Sequence, residues 1–145
     1  MLAYAAAIVQ GPRQKNLILI LAREFASKLA TPMFVADAAG DLVFYNEPAE
    51  DVLGRNFGEA GEMPAATLPS LFSPEDLEGK PLPLDEIPLG IALLARQPAH
   101  RALRITGLDG RRRLVSATAF PLFARADEFV GAVAIFWEQS DGETS

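Results

Sequence analysis

The residues of this chain that could do chemistry are few, and their spacing assembles none of the familiar catalytic sets. His100 is the single histidine, and there is no cysteine. The lack of cysteine removes disulfides, thiolate metal ligands and thiol nucleophiles together. One histidine is enough to ligate a haem iron, but strand alternation puts His100 on the face of Arg104 and away from Leu103 and Ile105. Arg111, Arg112 and Arg113 form the one basic cluster, able to grip a phosphate or an acidic partner. Beside a turn, such a cluster reads as solvated charge. Asp37 and Tyr45 supply the acid and phenol that a small isomerase uses as a buried pair. A turn acid and a strand tyrosine account for both. Glu47, Glu50 and Asp51 fit a helix N-terminus countering its dipole rather than a divalent-metal site. No nucleophile elbow, phosphate loop or paired-histidine motif occurs. The chain is therefore not expected to be an enzyme.

The bulk numbers bound what else it can be. With 145 residues, half of them hydrophobic, the chain has the size of one domain and enough apolar side chains for a core. A net charge of −6 argues against sequence-independent binding to nucleic acid or anionic lipid. Met1–Val9 is apolar but has neither a preceding basic residue nor a cleavage motif after it. Neither this run nor Leu17–Ala22 reaches the roughly 20 apolar residues that span a bilayer. A cytoplasmic protein is the expectation.

The elements that must position these side chains follow from periodicity. Residues 13–30 read as an amphipathic helix, with Leu17, Ile18, Leu21, Phe25 and Leu29 at helical spacing. Pro32–Asp37 and Leu42–Tyr45 read as strands around a turn at Gly40. Asn46 stands at a helix N-cap, with Pro48 in the first turn and Gly54 after the last. Residues 55–72 read as irregular, with an apolar patch at Leu68, Leu71 and Phe72. Ser73-Pro74-Glu75-Asp76 carries the signals of a helix start, and Asp85 those of another helix cap. Ala99–Thr106 and Arg112–Leu122 flank an Asp109-Gly110 hairpin, and Phe129–Trp137 is a continuous apolar run. The order is helix, two strands, short helices, three strands: α+β with an antiparallel sheet. Residues 140–145 have the polarity of a disordered tail.

Asp37–Gly54, with a D-x-x-G turn running into N-x-x-A-x-x-x-x-G at Asn46, Ala49 and Gly54, resembles the opening of a PAS domain. D-G at 109–110, P-L at 121–122 and G-A-V at 131–133 extend the resemblance over residues 31–139, and the segment 79–89 is similar to a variant common in bacterial PAS sensors. The resemblance implies a PAS fold: a five-stranded antiparallel sheet with short helices on one face, here preceded by a flanking helix in residues 1–30. It implies a sensory or regulatory module in signal transduction. The expected action is by ligand or partner binding, on a signalling protein in trans or within a larger protein.

The last strand is apolar on both faces, so it is expected to be central and covered on both sides, one side by the helix at 13–30. Leu17, Ile18, Leu21 and Phe25 are the expected homodimer contacts. By family placement, the pocket-facing set is Phe34, Ala36, Phe44, Leu103, Ile105, Val115, Ala117, Ala119, Val133, Ile135 and Trp137. Small residues in the middle strand leave two outcomes open: a cavity for a small apolar ligand, or a solid core filled by Phe34, Phe44 and Trp137. Without such a ligand, the chain reads as an interaction and dimerisation scaffold. No cofactor is expected. A haem ligand in this family typically precedes the hairpin strands, where residues 86–97 contain no histidine. A flavin would need amide side chains that this set lacks.

Overall fold

The structure, a computed structural model, describes residues 17–54, 56–125 and 127–139. Met1–Val9 and the tail at 140–145 lie outside the described residues. A helix, α1, occupies residues 17–27. The chain then continues through β1 (Met33–Asp37), β2 (Asp41–Tyr45), α2 (Glu47–Leu53), α3 (Phe57–Ala60), β3 (Met63–Pro64), α4 (Leu68–Phe72), α5 (Pro88–Leu94), β4 (Ala99–Thr106), β5 (Arg112–Phe123) and β6 (Phe129–Gln139). Single 3-10 turns precede α4 and α5.

All pairings are antiparallel, in the order β3-β2-β1-β6-β5-β4. The sheet therefore has six strands. The sixth is the two-residue β3, which pairs with Asp41 and Leu42. β6 lies between β1 and β5, as its two apolar faces require. Its inner face joins the main core under the short helices. Its outer face joins a second cluster of Met33, Val35, Val133 and Ala26 of α1.

The signals around Asp37 and Asn46 act as their residue types dictate. The Asp37 carboxylate accepts from Ala39 N–H and Asp41 N–H at 3.1 and 3.0 Å, and Gly40 takes φ +90°. Asn46 caps α2, and Gly54 closes it at φ +82°, donating its N–H to Glu50 O at 2.8 Å. Gly54 must be glycine for a second reason: a Cβ there would lie 2.8 Å from the backbone nitrogen of Asp109.

Two expected helix starts are absent. Asp76 uses its carboxylate to accept from Glu78 N–H and Lys80 N–H, both at 2.9 Å, which makes a turn rather than a helix cap. Glu75 bridges to β4 instead. Asp85 lies within a 3-10 turn, and α5 begins at Pro88 with Ile87 at the capping position. Residues 55–72, expected to be irregular, contain α3, β3 and α4. Arg113 is also not the solvated cation expected of the triple-arginine run. It is buried, donating to Val52 O at 2.8 Å and pairing with Asp109 at 3.2 Å. Its charge thus meets the carbonyl end of α2. Arg112 pairs with Glu75.

Candidate functional site

β4, β5, β6 and β1 turn small and branched apolar side chains toward the helices. Leu103 faces Val115, Ala119 faces Ala134, and Phe34 faces Ala134 from the other side. Ala117 and Ala134 are too short to reach the helical layer, and a cavity of about 70 Å³ remains between sheet and helices. Its floor is Phe34, Leu103, Ile105, Val115, Ala117, Ala134 and Phe136. Its roof comes from Leu53 of α2, Leu68 and Phe72 of α4, and Ile87, Pro88 and Leu89 at the start of α5. Pro74 completes the lining, and every side chain in it is apolar. A cavity of this character has no group to hold water and suits an apolar occupant.

Of the expected pocket set, Phe34, Leu103, Ile105, Val115 and Ala117 line the cavity. Ala36 and Ala119 are fully buried in the same core but do not border it. Phe44, Val133, Ile135 and Trp137 lie on the opposite face of the sheet. Val133 pairs with Val35 and Phe120, and Ile135 with Met33 and Thr118. Trp137 pairs with Ser116 and stays 42% exposed. Phe44 sits beneath the Arg23 guanidinium, 5.0 Å from its ring centroid. The physical reason is that β6 is apolar on both faces, so alternation fixes a period but not a direction. A shift in the β1–β2 register between Val35 and Ala36 turns Phe44 outward and Tyr45 inward. Ala132, Ala134 and Phe136 are the inward residues of β6, and nothing in their spacing distinguishes them from Val133 and Ile135. The roof residues Leu68 and Phe72 were visible only as a short apolar patch.

His100 lies on the outer face, exposed, with Nδ1 2.6 Å from Thr118 Oγ1. Among the described residues, no three histidine, aspartate or glutamate side chains gather as a metal site needs.

Asn46 connects the cavity wall to α1. Its side-chain oxygen accepts from Ala49 N–H at 3.1 Å, which caps α2, and from Met33 N–H at 3.0 Å, which fixes β1. Its amide nitrogen donates to Ala26 O and Thr31 O, both at 2.9 Å, at the end of α1 and in the segment after it. Two carbonyls on one side and two N–H groups on the other dictate the orientation of the amide. The N-cap position expected from the sequence is thus one arm of a four-way tie.

α1 docks on the outer sheet face through Leu19, Ala22 and Ala26, and Leu29, just after the helix, joins the same cluster. Ile18 is half-buried, while Leu17, Leu21 and Phe25 are 53%, 55% and 56% exposed. Among the described residues, no helix is long and apolar enough to cross a membrane.

An antiparallel sheet that covers an apolar cavity with short helices, and carries a helix on its other face, defines an α+β domain. No protein-family model matches the chain, and no curated protein is similar to it in sequence. Solved structures are similar in shape. The PAS domain of a Colwellia psychrerythraea protein shares 17% identity over 84% of this chain and 97% of its own, with a TM-score of 0.59. The PAS domain of nitrogen regulation protein NR(II) from Vibrio parahaemolyticus shares 15% over 82% and 98%, with a TM-score of 0.56. The LOV protein of Rhodobacter sphaeroides shares 14% over 83% and 66%, with a TM-score of 0.64. The chain has the PAS fold.

The LOV neighbours correct one expectation. LOV domains bind flavin, and several share this fold, so the sequence-based argument against a flavin does not stand. The lack of cysteine removes a thiol adduct, not the binding of a ring. Every side chain lining this cavity is apolar, so contacts to a bound ring's polar rim would have to come from backbone groups or from elsewhere.

Proposed function

We propose that this chain is a sensory or regulatory PAS module in signal transduction that acts by binding rather than catalysis. The cavity takes a small apolar ligand, and the protein homodimerises through α1 to act on a signalling partner protein in the cytoplasm. Neither nucleic acid nor membrane is part of this reading. The observation that carries it is the wholly apolar cavity between sheet and helices. Leu53 lines that cavity from α2, Asn46 caps the same helix, and Asn46 also holds the end of α1. A change in cavity occupancy that moves α2 therefore has a direct mechanical route to the dimer helix. The neighbours named above, PAS and LOV domains, support a sensory role through their shared fold.

A second reading, a ligand-free dimerisation scaffold, draws on the exposed apolar stripe of α1. Native mass spectrometry, an absorbance scan and a solvent extract of the same preparation separate the two. The ligand reading predicts a dimer with an adduct mass and an extractable apolar compound. A visible absorbance band identifies a flavin or another chromophore instead. A clean dimer with neither adduct nor extract supports the scaffold and contradicts the ligand.

A further inference from the structure

β4 is an edge strand, and the chain itself shows what that edge accepts. Glu75 exchanges both backbone hydrogen bonds with Arg104, each at 2.9 Å. Arg104 thus turns its N–H and C=O away from β5. By the alternation of an antiparallel ladder, Ala102 and His100 turn theirs the same way. The arm carrying Glu75 would run on beside them, but it turns back at Asp76, whose backbone N–H donates to Lys80 O at 2.9 Å. Among the described residues, no backbone bond reaches the outward groups of Ala102 or His100. An edge left open in this way is a template for another strand.

The space beside it is a groove of about 540 Å³. Leu77 and Ile91 give it apolar contacts, and Asp76, Glu78 and Glu86 give it negative charge. The one arginine lining it, Arg101, donates to the backbone carbonyl of Glu86 at 3.0 Å rather than to a carboxylate. Three acids against one arginine, in a chain of net charge −6, set the charge of whatever docks there.

We infer that the outer edge of β4 at His100 and Ala102 is a docking site for an extended, basic segment of a partner protein. The segment adds a strand beyond the Glu75 arm, takes its backbone bonds from His100 and Ala102, and sets lysine or arginine against Glu78 and Glu86. Alternate apolar side chains lie on Leu77 and Ile91. This site is independent of the cavity and of α1.

The test uses the full chain labelled with ¹⁵N and an acetylated peptide alternating lysine and valine. A control peptide has glutamate in place of lysine. Titration should shift the amide signals of His100 and Ala102 and slow their hydrogen exchange. The glutamate peptide should bind at least about tenfold more weakly, and the exposed double variant Glu78→Lys with Glu86→Lys should weaken the lysine peptide by a similar factor. Any one of four results overturns the proposal: no binding, equal binding of both peptides, unchanged binding to the variant, or shifts confined elsewhere. Exchange at these amides that is already slow without peptide, and speeds on dilution, would show that a second copy covers the edge, and overturns it equally.

Discussion

Every polar atom of the buried Asn46 amide is used. A carboxylate in its place keeps the two N–H partners but cannot donate to Ala26 O or Thr31 O. Asn46→Asp should therefore preserve the α2 cap and lose the tie to α1. Ala26 O keeps the Leu29 N–H at 3.1 Å and Thr31 O is only part-buried, so losing the two donated bonds is expected to cost about 1–3 kcal/mol in a urea melt. Hydrogen exchange should rise first in residues 17–27; equal loosening of α2 would show that capping is its whole role. A second residue-scale prediction concerns Asp109. The side-chain hydrogen bond from Arg113, and then the backbone N–H of Arg111, hold its pKa below the usual aspartate value. A depressed pKa contributes stability that is present above the unfolded value and lost as pH falls through the folded one. Asp109→Asn should thus lower stability at neutral pH and flatten part of the acid limb below the ordinary aspartate range. An acid limb identical to that of the parent protein would contradict this.

At the scale of elements, α1 shows how size misleads a reading of periodicity. Of the stripe Leu17, Ile18, Leu21, Phe25 and Leu29 seen in the sequence, Leu17, Leu21 and Phe25 face outward, Ile18 is half-buried and Leu29 packs inward. The docked face is Leu19, Ala22 and Ala26, where two alanines let the helix approach the sheet closely. The proposed dimer uses the outward stripe. Leu21→Glu with Phe25→Glu should therefore give monomers in sedimentation with little loss of thermal stability, since both sites are exposed. A dimer that survives the change rules out this interface. The hairpins were legible because Asp-Gly and D-x-x-G turns carry their own backbone geometry, as Gly40 and Gly110 show with φ of +90° and +82°. The stretch from Ser73 to Asp85 was not legible. Ser, Pro and Asp serve turns and helix caps alike, and only the distant bridge from Glu75 to Arg104 decides between them. The inward face of β6 was hidden for a related reason: its direction depends on pairing with Ala119 and Phe34, not on its own sequence.

At the scale of the whole molecule, the sheet separates two apolar compartments, a cavity under the helices and a helix-covered outer face. Because the cavity is open space, filling it is tolerated while enlarging a packed neighbour is not. Ala117→Val, on the cavity floor, should change stability by less than about 1 kcal/mol, in either direction. Ala119→Leu, fully buried in the same strand and not bordering the cavity, should cost about 1–3 kcal/mol by overpacking. Equal costs in thermal melts would argue for a solid core. The most direct measurement is a xenon titration followed by methyl and amide NMR, since xenon enters dry apolar cavities of this scale. The account predicts saturable shifts at the methyls of Leu103, Ile105 and Val115, none at Val133 and Ile135, and a smaller saturable shift at Ala26 of α1. Shifts that are linear in xenon pressure and alike on both faces of the sheet would contradict it.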